Sequence, residues 1–348
     1  MTRRIAIGVV GCGFFSRNHF HSWKDLAPEG ADLVAVCDTD PTKAKGAAEA
    51  FGVPHAYTDV ETMLRERDLG LLDIVTRMDT HRAIAELAFR HNVPAIVQKP
   101  FAPTWDDCVA IVEAAESAGL FLAVHENFRF QTPLRKVKAI LDAGTIGTPS
   151  WARISFRTGY DIYKGQPYFY DEERFVILDL GVHVVDVARF LLGEVERVSC
   201  ETQRRNSKVK AEDTATMLLR HISGAVSVVE ATYETRKLPD PFPETLIEIE
   251  GPRGAIVTKP GYRMEVTAGG AMTASEMEIP LLHWAKPPWH MVEQSVFRTC
   301  AHFLDCLKEG REAATSGRDN LKTYAICEAA YESAATGRAV RPLHVGRA

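Results

Sequence analysis

Ile5-Ala6-Ile7-Gly8-Val9-Val10-Gly11-Cys12-Gly13-Phe14-Phe15-Ser16 is the stretch whose reading decides the fold. Ile5 to Val10 is a short apolar run with β-branched residues, the pattern of a buried strand, and a glycine-rich turn ends it. The turn is the dinucleotide fingerprint Gly-x-Gly-x-x-(Gly/Ala) with serine in the third place. Gly11 would permit the tight turn, and Gly13 would let backbone amides approach a pyrophosphate at the N-terminus of the following helix. A lone fingerprint is weak, so its context has to match. A helix pattern follows to about Leu26, then a strand pattern from Ala31 to Asp38, which puts an acid 22 residues beyond Ser16. Asp38 is where a ribose-binding carboxylate is expected, and it would repel the extra phosphate of NADP. It could instead cap the helix that Pro41 opens, but Asp40 is better placed for that.

Outward from this unit the alternation continues. Thr58-x-x-Glu61 reads as a capping box for a helix to about Arg67. Leu71 to Thr76 reads as a strand, Thr80 as the cap of a helix to Asn92, and Ala95 to Gln98 as a strand. Thr104 should cap a helix ending near Gly119, before a strand from Phe121 to His125. Strands alternating with helices predict a doubly wound parallel sheet, whose ligands lie beyond the carboxyl ends of its strands. Those ends are polar here: Thr76-Arg77, Gln98-Lys99-Pro100 and His125-Glu126-Asn127-Phe128-Arg129. Lys99, between an apolar strand and Pro-Phe, is either a functional cation or a snorkelling edge lysine.

After Gly144 to Pro149 the rhythm changes. A strand from Trp151 to Arg157 precedes a loop, Thr158 to Glu173, that carries Tyr160, Asp161, Tyr163, Lys164, Tyr168 and Tyr170. Aromatic faces mixed with hydrogen-bonding groups suit a polyhydroxylated ligand, and they also suit an ordinary solvated loop. Phe175 to Gly193 is apolar almost all round as a helix, and so buried, apart from Asp179, His183 and Asp186 on one stripe. Buried ionisable groups need partners, either an internal network or a wet cleft holding a substrate. Six strand patterns between Val195 and Thr267 predict an open, mostly antiparallel sheet. Two helices, about Val292 to Lys308 and Asn320 to Ala335, close the chain.

Composition narrows the class. With 348 residues, two domains are expected: an NAD-binding Rossmann domain over 1–127 and an α+β substrate and oligomerisation domain over 128–348. The last helix is a candidate to pack back on the first domain. A net charge of −5 without basic blocks argues against nucleic acid. No apolar run reaches the roughly 20 residues of a membrane span, and no signal-like segment opens the chain. Seven scattered cysteines without Cys-x-x-Cys read as buried thiols in a reducing cytoplasm. No His-Glu-x-x-His is present, and no metal site is expected.

Three separated motifs resemble the Gfo/Idh/MocA oxidoreductases, and the likeness covers nearly the whole length. They are Gly11-Cys12-Gly13 with His19 beyond it, Val97-Gln98-Lys99-Pro100 against the family's Glu-Lys-Pro, and Leu178 to Asp186; Asn320 to Gly337 is similar to the family's closing helix. The resemblance implies NAD-dependent oxidation of a sugar or polyol carbinol, with Lys99, Asp179 and His183 as the catalytic group. It implies cofactor contacts at Gly11, Gly13, Phe14, Phe15, Asp38, Thr39, Thr76, Arg77, His81, Gln98 and Lys99. The substrate shell would add His125, Asn127, Arg129, Tyr160, Asp161 and Tyr163. Two departures stand out: Gln98 replaces the usual Glu, and Arg77-Met78 the usual Pro-Pro. His-Glu-Asn-Phe-Arg-Phe-Gln, with Val-Gln-Lys-Pro, is most similar to a sugar-oxidising branch that includes D-apiose dehydrogenases.

In the mechanism so implied, the hydroxyl carbon yields hydride to the nicotinamide, and His183 or Lys99 takes the proton, an alternative the sequence leaves open. Asp179 would orient His183, and Lys99 would stabilise the charge developing on oxygen. The rival readings are an inositol or polyol dehydrogenase, an NAD-dependent glycosidase and a non-catalytic NAD-binding regulator. An open sheet with an uncovered face predicts a homodimer or homotetramer.

Overall fold

The structure, a computed structural model, describes residues 4–346. It contains two compact units: one takes the chain up to Glu126 and then Val296–Leu321, the other Asn127–Ser295 and the chain from Lys322 on.

The first unit is built on β1 (Ile5–Val10), β2 (Ala31–Cys37), β3 (His55–Tyr57), β4 (Leu71–Ile74), β5 (Ala95–Gln98) and β6 (Leu122–His125). All neighbours are parallel, in the order β3-β2-β1-β4-β5-β6. Ile7, Val9, Leu71, Ile74 and Ile96 are fully or almost fully buried, as apolar runs on central parallel strands must be when helices cover both faces. The strand order reverses between β1 and β4, so the crevice beyond their carboxyl ends is the ligand site of such a sheet.

Helices α1 (Ser16–Asp25), α2 (Pro41–Phe51), α3 (Val60–Glu66), α4 (Met78–Arg90) and α5 (Trp105–Ala118) alternate with the strands. Asp40 caps α2, accepting from Thr42 N at 2.8 Å, and Thr104 caps α5, accepting from Asp107 N at 3.1 Å. Two expected caps differ. Asp59, not Thr58, accepts from Thr62 N and starts α3. Helix α4 begins at Met78, so Thr80 lies inside it, its hydroxyl turned back to Arg77 O. Val296, Cys300, Phe303 and Leu304, from α8 (His290–Glu309), join the apolar core of this unit.

The second unit holds an eight-stranded sheet: β7 (Trp151–Arg157), β8 (Val195–Gln203), β9 (Thr214–His221), β10 (Val226–Thr232), β11 (Leu246–Gly251), β12 (Gly254–Lys259), β13 (Arg263–Ala268) and β14 (Ala271–Glu276). The order is β14-β13-β12-β11-β7-β10-β9-β8, antiparallel except where β7 meets β10. The buried helix comes in two parts, a π-helical turn over Ile177–Gly181 and α7 (Val182–Leu192), which packs on β7 and β10. Helix α6 (Thr132–Asp142) was not anticipated, nor were β3 and the wholly exposed β14; α9 (Gly317–Thr336) ends the succession. No helix among the described residues is long and apolar enough to cross a membrane.

Candidate active site

In the first unit the predicted residues stand at the carboxyl ends of neighbouring strands: Gly11, Gly13, Phe14 and Phe15 after β1, Asp38 and Thr39 after β2, Thr76 and Arg77 after β4, and Gln98 and Lys99 at the end of β5. Gly11 has φ +97°, and a Cβ there would lie 2.2 Å from Val75 O, so only glycine fits the turn. A Cβ on Gly13 would meet nothing within 4 Å, which leaves its backbone open. The first turn of α1 has no side-chain cap; Asn18 N donates to Phe15 O at 3.1 Å, and the N–H groups ahead of it are the ones placed for an anion. Asp38 Oδ2 accepts from Cys12 N at 2.8 Å and Oδ1 from Asp40 N at 2.9 Å, fixing the carboxylate at the end of β2 with lone pairs to spare. Burial, with Asp38 next in effect, pushes the Cys12 thiol up to about 12, so it stays protonated. Glycine turn, uncapped helix start and fixed acid together fit a dinucleotide: Gly11 to Ser16 for the pyrophosphate and Asp38 for a ribose.

Other predicted residues are held by the fold itself. His81 is buried, with Nδ1 3.1 Å from Phe101 O and Nε2 3.1 Å from Thr76 O, tying the strand-end segments after β4 and β5 together. Burial drives its imidazole below the ordinary range, against the pull of those carbonyls. The His125 ring is fully buried, 4.3 Å from that of His19 and with Nε2 3.7 Å from Cys300 Sγ. His19, His125 and Cys300 bring three atoms of metal-ligating type within 4.8 Å of one another. No short motif announces this group, because its members come from α1, β6 and α8. His19 Nε2 already faces the Gln98 amide and Nδ1 faces Asp73.

In the second unit the stripe on the buried helix divides. Asp186 is fully buried and accepts from Arg129 through Nε at 2.7 Å and through Nη2, and from Thr323 Oγ1 at 3.0 Å. Arg129 is thereby engaged in an ion pair within its own unit, and Asn127 donates to Ser295 Oγ at 2.6 Å. Asp179 and His183 make contacts of their own. Asp179 Oδ2 accepts from the Tyr233 hydroxyl at 2.7 Å, and the His183 ring stacks on Phe128 with centroids 3.9 Å apart and planes within 4°. Burial, reinforced by Asp179, holds the Tyr233 hydroxyl well above its ordinary range, so it remains a donor. Tyr233 was missed in the sequence because an aromatic at the end of a strand reads as core.

The π turn carries Asp179. Gly181 belongs to it, and a Cβ there would sit 3.3 Å from Val176 O, five residues back. Glu212 Oε1 accepts from Phe175 N and Ile177 N at 3.1 and 3.2 Å, placing a carboxylate at the positive end of the helix. Tyr160 stacks on Phe242 with centroids 4.2 Å apart and meets Trp289 edge-on, exposed Asp161 pairs with Lys164 at 3.5 Å, and Tyr163 is buried, its hydroxyl donating to Glu234 at 3.3 Å.

A parallel 3-2-1-4-5-6 sheet with this cradle defines a dinucleotide-binding Rossmann fold. The chain belongs to the Gfo/Idh/MocA family: residues 5–126 match the oxidoreductase family model with an NAD-binding Rossmann fold, and residues 134–257 match the GFO/IDH/MocA C-terminal domain. It is 48% identical to a D-apiose dehydrogenase of Rhizobium rhizogenes, over 95% of this chain and 96% of that one. To a D-apiose dehydrogenase of Paraburkholderia graminis it is 46% identical, over 97% and 90%. A crystal structure of an oxidoreductase from Agrobacterium radiobacter, in complex with NAD+, L-tartaric acid and magnesium, is 48% identical and superposes with TM-score 0.95 over 97% of this chain and 98% of that one.

Proposed function

We propose that this chain oxidises a sugar carbinol with NAD, an aldose at C1 to give a lactone, with D-apiose the first candidate. The near-full-length identity to two D-apiose dehydrogenases carries the reading. In this reading the first unit holds the cofactor and the second the sugar. NAD, when bound, supplies the hydride acceptor. The chain's own part is to hold the carbinol, take its hydroxyl proton and stabilise charge on the oxygen as the C–H bond breaks. His183 is the candidate base, since imidazole ordinarily titrates near neutral pH. Asp179, anchored by Tyr233, would stabilise the imidazolium, and Lys99 would hydrogen-bond the reacting oxygen. Lys99 and His183 could exchange these roles. The test is NADH formation from NAD against D-apiose, other aldoses and myo-inositol, with NADP in parallel. Turnover of D-apiose with NAD is expected. Cleavage of a glycoside without net NADH, or NAD binding without turnover across the panel, would overturn the reading.

The chain is further proposed to form a homodimer or homotetramer in the cytoplasm through the outer face of the eight-stranded sheet. Half-exposed Leu218 there lies across from partly buried Val228. A monodisperse monomer in light scattering at micromolar concentration would contradict this.

A further inference from the structure

Beneath the strand ends of the first unit, hydrogen bonds run from a buried carboxylate to the backbone of Lys99. On β4, Asp73 Oδ2 accepts from Trp23 Nε1 at 2.7 Å and lies 2.8 Å from His19 Nδ1. A carboxylate can only accept, so Nδ1 is the nitrogen that bears hydrogen. At the other end, Gln98 Oε1 accepts from the Lys99 backbone N–H at 2.7 Å, and Gln98 Nε2 lies 3.0 Å from His19 Nε2. A backbone N–H can only donate, so the carboxamide turns its oxygen to Lys99 and its NH2 to His19. The NH2 requires an acceptor, so His19 Nε2 carries a lone pair and the ring is neutral. Read separately from the two ends, the assignment is the same. His19 and Asp73 are fully buried and Gln98 is 7% exposed, so water does not substitute for these partners.

The titratable groups facing His19 are Asp73 from β4, His125 from β6 and Cys300 from α8. Burial keeps the Cys300 thiol well above its ordinary range, so it adds no charge. We propose that His19 and Gln98 are positioning residues for Lys99, and that an amide at position 98 is what lets His19 remain uncharged beside Asp73. The proposal rests on the reading of Lys99 as a catalytic group. A carboxylate at 98 could still accept from Lys99 N–H, but it would present a second acceptor to a ring nitrogen that has no hydrogen. That conflict is relieved when His19 takes up a proton and becomes an imidazolium between two carboxylates. Position 98 thus sets whether a titrating group lies one residue from Lys99.

The experiment uses the NAD-bound protein with 15N-labelled histidine, the His19 signals being identified by their loss in His19→Gln. In the wild type, His19 is expected neutral with hydrogen on Nδ1 at about pH 7. In Gln98→Glu it is expected as imidazolium, and the pH profile of kcat should gain an ionisation that the wild type lacks. Gln98→Ala, which loses both bonds, should lower kcat measured at saturating NAD about 10- to 100-fold, because the loss is one of alignment. A wild-type His19 that is charged, or that bears hydrogen on Nε2, overturns the proposal without reference to any variant. Unchanged kcat in Gln98→Ala overturns it as well. Wild-type turnover in Lys99→Met would instead sink the catalytic assignment of Lys99, on which the histidine spectrum does not depend.

Discussion

Arg129→Met should unfold the second unit well below the wild-type temperature, and the size follows from what Asp186 loses. In the wild type this fully buried carboxylate has the Arg129 guanidinium, which is itself 8% exposed and lies 5.7 Å from the Phe190 ring, together with the Thr323 hydroxyl. Methionine keeps much of the apolar stem and removes both N–H donors and the charge. The nearest guanidinium remaining to Asp186 among the contacts described is that of Arg189 at 3.9 Å, a longer contact with a group that Glu194 already engages at 2.9 Å. Breaking a buried pair from one side costs about 3–5 kcal/mol, because an uncompensated charge stays inside. At about 2–4 °C per kcal/mol for a unit of this size, the transition should fall by roughly 6–20 °C. Differential scanning calorimetry reads this directly. Arg129→Met combined with Asp186→Leu should recover most of the loss, since an apolar pair of similar volume often replaces a buried ion pair at little cost. A single variant within about 2 °C of wild type would refute the reasoning. If that stable variant also raised KM more than about tenfold, Arg129 would belong to the substrate shell after all.

Lys99→Ala and His183→Ala should each retain NAD binding by calorimetric titration and lose two or more orders of magnitude in kcat, as expected for loss of charge stabilisation or of general-base catalysis. Asp38→Ala should lower kcat/KM for NAD by about 10- to 100-fold, the worth of one or two charge-assisted hydrogen bonds, while NADP improves relative to NAD. His81 is held neutral below its ordinary range by burial, so between that lowered value and about 6.5 the unfolded chain binds the extra proton. Stability should therefore fall as pH drops through about 6.5, and it should fall less steeply in His81→Gln; the same loss of unfolding free energy between about pH 7.5 and pH 5.5 in wild type and variant, read from urea titrations, would contradict this.

Much of this was legible because local rules and the fold agree. Val10-Gly11 stops a strand where the turn requires positive φ, Asp40-Pro41 starts a helix with its own cap, and Thr104 does the same. Where two caps compete within one or two residues, as at Thr58 and Asp59, the choice depends on the backbone geometry entering the helix, which no window of sequence contains. Helix α6 lies between louder signals, and Pro133 in its first turn with buried Leu134 and Val137 is what marks its start. The edge strand β14 has no buried face, so it leaves no alternation to detect.

The stripe of Asp179, His183 and Asp186 shows where spacing stops being informative. Spacing places three polar groups on one side of a buried helix, and it cannot say which of them will be neutralised internally. The structure divides them by the partners that arrive from distant sequence. Arg129 and Thr323 reach Asp186 from 57 and 137 positions away, while Tyr233 reaches Asp179 from 54. A bidentate guanidinium cancels a charge, whereas a phenol hydroxyl orients a carboxylate and leaves its charge in place. Asp179, oriented by the Tyr233 hydroxyl, lies in a π turn of the kind that recurs at functional sites. In the proposed mechanism a carboxylate so oriented, four residues from His183, would stabilise a cation that exists only while a proton is being held, which is the demand that oxidation of a carbinol makes.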